Sequence, residues 1–336
     1  MTGNQISSLV AELTAPRQLR FREELIDMDH VSEDEIVAQT NYSAISVGTE
    51  LSAYMGLPPL RPGSVYPRVV GYCNVATIVA VGDDVASYAV GDRILSFQSH
   101  RSSFSCAEGD IILKLPDSAN LQTASATYLF HLGFNAALKA RMVKGERVAV
   151  IGLGALGMAA VGMLKALGGE VYAYSDQSQL RHKALSMGAA NCYPKTFDHE
   201  ADRAPVVLTT SNRWDDWRLA LQLAAQDARV CVVGFPGRGE PCPEFNPLDS
   251  SLFYDKQLQI IACGKAPVSG DGEWVGRFDL KRNCGHILQL IMNGELRAAE
   301  LIGGVDEGGA LAEVYRRLEN RGDGDVTRIL KWNDKR

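Results

Sequence analysis

Residues 147–176 read RVAVIGLGALGMAAVGMLKALGGEVYAYSD. Val148 to Ile151 is a short apolar run of the kind a strand buried on both faces requires. It leads directly into Gly152, Gly154 and Gly157 at the spacing G-x-G-x-x-G. Ala155 to Leu167 are strong helix formers, and Gly168-Gly169 stops the helix before a second strand segment, Glu170 to Tyr174. The spacing therefore predicts strand, tight turn, helix, strand. The three glycines serve separate purposes. Gly152 permits the turn, Gly154 lets a pyrophosphate approach the backbone, and Gly157 lets the helix pack close to the strand. An anion held there, beside Ala155 and Leu156, meets the free amides and positive end of the helix. A glycine spacing alone arises by chance in ordinary turns. Here the strand before, the helix after and a polar strand end about 20 residues on supply the context that a dinucleotide site demands.

Outward from this unit, the chain changes texture. The first 120 or so residues carry short β-type runs between Gly, Pro and Asp turns, the clearest being Glu35–Ser46, Val75–Val81, Arg93–Phe97 and Phe104–Ala107. They predict a small β-rich domain. From Leu121 to Ala140 the pattern is helical. Beyond the first βαβ come a helix at Gln179–Met187, a strand at Val206–Thr210, a helix at Trp214–Ala225, a strand at Val230–Gly234 and another at Gln257–Ala262. Repeated βαβ crossings imply a parallel sheet with helices on both faces. Helices at Lys281–Asn293 and Gly308–Glu319 and a strand at Val326–Trp332 close the chain.

The chain has 336 residues, 46% hydrophobic and 22% charged, enough for two cored domains. A net charge of -6 offers no basic stripe for nucleic acid. No apolar run approaches the roughly 20 residues of a membrane span, and Met1 to Glu12 lacks the pattern of a signal peptide. These features point to a cytoplasmic protein. Its 7 cysteines are scattered without a C-x-x-C pair, which fits reduced thiols and signals neither a zinc ribbon nor a redox dithiol.

Several stretches together resemble the medium-chain dehydrogenase/reductase family, the zinc-type alcohol dehydrogenases and their zinc-free relatives. They are Ser46-Val47-Gly48-Thr49-Glu50, Gly71 to Gly82, Val90-Gly91-Asp92-Arg93, Val143 to Glu146 leading into the glycine turn, Val232-Val233-Gly234-Phe235, and the tail from Asn293 to Leu330. Nearly the whole chain is covered, and residues 44–82 are most similar to the branch containing the bacteriochlorophyllide dehydrogenases. The resemblance implies a GroES-like β domain at 1–125, a Rossmann doubly wound parallel-sheet domain at 126–272 and a return to the first domain at 273–336. It also implies an active site between the domains, Thr210, Gly234 and Phe235 among the cofactor contacts, and a homodimer joined at Gln257–Ala262.

Zinc members of the family hold their metal with a Cys, a His-Glu pair and a second Cys or Asp. The matching positions here are Val47, Tyr72 with Cys73, and Tyr128, and Ser96 to Asp117 holds only Cys106 where the family places four structural cysteines. Val cannot ligate and phenols are poor zinc ligands, so no metal is expected; Cys73, His100 and His131 are the remaining donors. Hydride transfer without a Lewis acid still requires something to stabilise developing charge. Tyr72 and Tyr128 can donate hydrogen bonds or protons there, or else only fill the volume of the metal. Thr49 matches the family's relay hydroxyl, and His131 follows Tyr128 by one helical turn and reads as structural or cofactor-contacting. Cys73 also admits a reading as a reactive thiol.

NAD enzymes place an acidic residue at the end of the second strand; here Ser175 takes that place, followed by Asp176. The neutral Ser175, with Arg181 in reach of a ribose phosphate, favours NADP, while Asp176 favours NAD. The sequence thus predicts a zinc-independent, NAD(P)-dependent oxidoreductase acting on a small organic substrate, at an activated C=C or at a C=O/alcohol pair. The rival reading is a nucleotide-binding redox sensor or structural protein without turnover.

Overall fold

The computed structural model describes residues 4–57, 65–196, 202–264, 279–320 and 324–332. In chain order the elements are β1 (Gln5–Ala15), β2 (Gln18–Asp27), β3 (Glu35–Ala44), α1 (Val47–Met55), β4 (Arg68–Val69), β5 (Asn74–Val81), β6 (Arg93–Ser96), β7 (Ser103–Ala107), β8 (Ile111–Leu115), α2 (Leu121–Ala124) and α3 (Thr127–Lys139). Then follow β9 (Arg147–Ile151), α4 (Ala155–Ala166), β10 (Glu170–Tyr174), α5 (Ser178–Ser186), β11 (Asn191–Tyr193), β12 (Ala204–Thr209), α6 (Trp214–Leu223), β13 (Ala224–Val232) and β14 (Gln259–Ala262). The chain ends with α7 (Leu280–Met292), α8 (Ala298–Leu301), β15 (Val305–Glu307), α9 (Leu311–Asn320) and β16 (Ile329–Lys331). It divides into two compact units, 1–128 with 284–292 and 302–336, and 129–283 with 293–301.

The second unit is built on a six-stranded sheet in the order β11-β10-β9-β12-β13-β14, every pairing parallel. The order reverses between β9 and β12. Right-handed crossovers that run outward in opposite directions from that point put α4 and α6 on opposite faces, which makes the sheet doubly wound. Val148, Ala149, Val150 and Ile151 are fully buried, as a central strand covered on both faces requires. Burial of each larger apolar side chain contributes about 1.5–3 kcal/mol. Small residues set the helix packing: a Cβ on Gly133 of α3 would lie 2.8 Å from the Ala160 Cα of α4, so these two helices approach backbone to backbone.

The first unit holds a mixed sheet running β15-β16-β3-β5-β6-β8, with β7 also paired to β3, and a smaller sheet β2-β1-β4. Its core gathers Ile36, Ala38, Ile78, Ile94, Phe104 and Ile111 from alternating positions of these strands. A second cluster joins Leu51 and Tyr54 of α1 to Leu311, Val314 and Tyr315 of α9, so the C-terminal tail is part of this unit. The long β1–β2 hairpin and α1 have no counterpart among the elements expected from sequence. The helix expected at 121–140 is two helices, because α2 is closed off around Ser125 before α3 begins. The helix expected at Trp214–Ala225 yields its last two residues to β13.

Candidate functional site

The glycine turn sits at the reversal point of the parallel sheet, where open α/β sheets bind ligands at the carboxyl ends of their strands. Gly152 has φ +87°, a left-handed conformation that disfavours any side chain. A Cβ on Gly157 would stand 1.8 Å from the Gly152 carbonyl oxygen, so strand and helix close on each other only with glycine there. Gly154 is the N-cap of α4, caps it with no side chain, and has nothing within 4 Å of where its Cβ would be. The first amides of α4, beginning at Ala155 and Leu156, thus face an approach left open by the missing side chain. Thr210 braces the turn from the neighbouring strand: its hydroxyl donates to the Gly152 carbonyl at 2.7 Å. Gly234, after β13, lies so near that strand end that a Cβ would be 2.4 Å from the Ser211 carbonyl. Phe235 is exposed, its N–H donating to Asn212 Oδ1 at 2.9 Å and its ring lying 5.3 Å from the Arg238 guanidinium. Asn212 carried no sequence signal.

At the end of β10, Ser175 is buried, and its hydroxyl accepts from the Gln177 N–H at 3.3 Å. Arg181 Nη1 donates to the Ser175 carbonyl at 2.6 Å, which ties the guanidinium to the strand end. The Asp176 carboxylate accepts from the Lys195 N–H at 3.0 Å, and the Lys195 ammonium is paired with Asp216 at 2.7 Å. His131 belongs to this unit. It is fully buried, with Nε2 3.3 Å from Asn283 Nδ2, and burial lowers its pKa to about 4.

In the first unit the structure brings together Thr49, Tyr72 and Tyr128. The Tyr72 and Tyr128 rings meet edge to face at 5.6 Å, and Phe97 packs on Tyr128 at 4.7 Å, a favoured aromatic geometry. The Tyr72 hydroxyl donates to Ser46 Oγ and lies 3.5 Å from Thr49 Oγ1. Burial pushes both phenols up, Tyr128 to about 12 and Tyr72 further, so both are protonated at neutral pH and can act as donors. Ser46 and Phe97 were not singled out by the sequence. The Cys73 thiol is fully buried and pushed up by burial and the nearby Glu50, which argues against the reactive-thiol reading because the thiolate is the reactive form.

Beneath this cluster lies a buried polar network. Glu50 accepts from the Ser46 N–H at 2.7 Å, from His100 Nε2 at 2.8 Å and from the Tyr315 hydroxyl at 2.5 Å. His100 Nδ1 is 2.7 Å from Ser43 Oγ, which accepts from Trp332 Nε1 at 2.8 Å. His100 is thus committed to Glu50 and Ser43. Val47 brings no donor atom, and the Tyr72 oxygen is engaged with Ser46. Among the described residues no group of three or more His, Cys, Asp or Glu is arranged to hold a metal ion. The donors at the family's zinc position therefore do not fit that ion. Of the loops expected from the sequence to shape the substrate pocket, Tyr54–Tyr66 and Pro267–Phe278, residues 58–64 and 267–278 lie outside the described residues.

Residues 155–270 match the family model described as zinc-binding dehydrogenase. Among curated proteins, the NADP-dependent alcohol dehydrogenase C 1 of Mycolicibacterium smegmatis is 27% identical, the match covering 54% of this chain and 64% of that protein. The chain thus spans less than two thirds of the length of this relative. Among solved structures, the 2R,3R-butanediol dehydrogenase of Bacillus subtilis is similar with a TM-score of 0.80 at 18% identity, covering 97% of this chain and 100% of that one. An alcohol dehydrogenase (rspB) of Escherichia coli, solved with NADH, gives a TM-score of 0.78 at 17% identity, covering 97% and 99%. Both likenesses establish the fold. Among the described residues no helix is long and apolar enough to cross a membrane.

Proposed function

From the match of residues 155–270 to the family model of zinc-binding dehydrogenases and the 27% identity to an alcohol dehydrogenase, we propose that the chain is a medium-chain dehydrogenase/reductase, an NAD(P)-dependent oxidoreductase that works without zinc on a small organic substrate. The observation that carries this reading is the pairing of an intact glycine turn with a phenol cluster in place of the family's zinc ligands. Gly152, Gly154 and Gly157, with the amides of Ala155 and Leu156, would hold the diphosphate of the cofactor. Ser175, Asp176 and Arg181 would face the adenosine ribose, and Thr210, Gly234 and Phe235 would line the neighbouring strand ends. The bound nicotinamide supplies or accepts the hydride. The chain's own part is to place the substrate and to manage the proton.

Tyr72 and Tyr128 are the proposed proton or hydrogen-bond donors to the substrate oxygen that gains charge, with Thr49 beside them as the relay hydroxyl. Preorganised donors at such an oxygen contribute about 2.7–4 kcal/mol each. His131, neutral and held with Asn283, is assigned a structural part. NADP is favoured over NAD: the Asp176 carboxylate is engaged by the Lys195 N–H in the loop after β11, and the neutral Ser175 leaves room for a phosphate beside Arg181. The relative from Mycolicibacterium smegmatis is named NADP-dependent, in keeping with this choice. The protein is proposed to be a cytoplasmic homodimer.

The test is oxidation of NADPH and NADH by purified protein with a panel of enones, quinones and ketones, together with metal analysis. Turnover with at least one acceptor, surviving chelation and without stoichiometric zinc, is expected. Binding of NADPH with no oxidation by any acceptor would instead identify a redox sensor. About one zinc per chain, with activity lost on chelation, would overturn the zinc-free assignment.

A further inference from the structure

The way α1 is capped ties the buried carboxylate to the phenol cluster. Ser46 is the N-cap of α1, a position whose hydroxyl ordinarily accepts from an amide of the first helical turn. Here it makes no such bond. The Thr49 N–H is taken by the Ser46 carbonyl at 3.1 Å instead, which leaves the Ser46 hydroxyl to meet Tyr72, while Glu50, one position beyond the capping-box glutamate, reaches back to the Ser46 N–H at 2.7 Å. Glu50 is only 2% exposed, a costly place for a charge unless it is fully hydrogen-bonded.

The Trp332 indole can only donate, so Ser43 Oγ accepts from it and lies 2.7 Å from His100 Nδ1. His100 Nε2 in turn lies 2.8 Å from the Glu50 carboxyl group. Three donors, from Ser46, His100 and Tyr315, converge on it.

We propose that Glu50 is a positioning residue for Tyr72: by holding the Ser46 N–H it fixes the residue whose Oγ receives the phenol hydroxyl. The inference rests on the reading of Tyr72 as the proton donor, and its test separates the two.

With tyrosines labelled at the ring carbon bearing oxygen, the NMR signal of Tyr72 is the one lost in Tyr72→Phe. Glu50→Gln replaces one oxygen of the network by an N–H donor at nearly constant volume and is expected to shift that signal. It should also lower kcat for NADPH oxidation by cyclohexenone by at least about tenfold, with KM for NADPH nearly unchanged. In the Tyr72→Phe background the same substitution should have almost no further effect, because residues acting as one unit are not additive. An unmoved Tyr72 signal in Glu50→Gln, or losses that multiply in the double variant, would overturn the proposal. Full activity in Tyr72→Phe sinks the donor reading instead, while the NMR signal still reports whether Glu50 governs the phenol. If Glu50→Gln does not fold, Ser46→Ala cuts the same link one step nearer and is judged by the same outcomes.

Discussion

A phenol differs from a benzyl side chain by one oxygen, so Tyr72→Phe and Tyr128→Phe separate chemistry from the filling of space. Both rings would keep their edge-to-face packing. If either hydroxyl is the donor, its loss should lower kcat by about two to four orders of magnitude while NAD(P)H affinity stays as in the wild type. Wild-type kcat in both, with activity abolished in Thr49→Val, would show that the proton travels through the relay hydroxyl. His131 yields a stability prediction whose sign can be worked out. Its pKa falls from the ordinary 6.5 to about 4 on folding, so the unfolded chain binds the proton more readily. This part of the stability is whole above about pH 6.5 and is lost progressively as pH falls towards 4. The full loss is on the order of 3 kcal/mol. In His131→Gln the urea midpoint should depend less steeply on pH across that window; an unchanged slope would show that other groups govern acid unfolding.

The turn between β9 and α4 offers two glycines with opposite expectations. At Gly154 the space for a side chain is open, so Gly154→Val should fold, with about 1 kcal/mol lost from the helix cap, yet it should no longer bind NAD(P)H because the branched side chain occupies the diphosphate approach. At Gly157 a Cβ runs into the Gly152 carbonyl, so even Gly157→Ala should destabilise the domain by about 1–3 kcal/mol as well as weaken binding. Fluorescence of NAD(P)H together with thermal unfolding of both variants checks this; equal stability of the two would mean the close approach is not real. This element was legible because its constraints are local: glycine spacing, a buried strand and good helix formers lie within 30 residues. The β1–β2 hairpin was not, because its buried face includes Ser8, satisfied by the Ser103 carbonyl, and Glu12, paired with Arg20 and Arg22. Those polar residues break the alternation that marks a strand. The role of Glu50 was unreadable for a related reason, since its partners His100 and Tyr315 stand 50 and 265 positions away. The strand end at Ser175 could be counted from the glycines, whereas the bonds that hold Arg181 and Asp176 to nearby backbone depend on rotamers that no spacing rule reveals.

At the scale of the whole molecule, the sheet order among the described residues leaves β11 and β14 as the edges of the six-stranded sheet. An exposed edge presents unpaired N–H and C=O groups and invites another strand. On β14, Gln259, Ile260 and Ala262 are exposed, and Ile260 is 37% accessible, an apolar side chain at an open edge. A two-fold pairing of β14 with its copy would cover both the backbone groups and Ile260, since a two-fold interface uses the same patch on each partner. The chain should therefore sediment as a dimer at micromolar concentration. Ile260→Lys sets two like charges close together across the axis and adds a residue that natural edge strands use to prevent pairing, so it should shift the equilibrium to monomer. Because the backbone of β14 is paired to β13 through residues 259–262, the variant monomer should keep the fold and bind NAD(P)H. A wild-type protein that sediments as a monomer, or an Ile260→Lys variant that remains dimeric, would place the interface elsewhere or remove it.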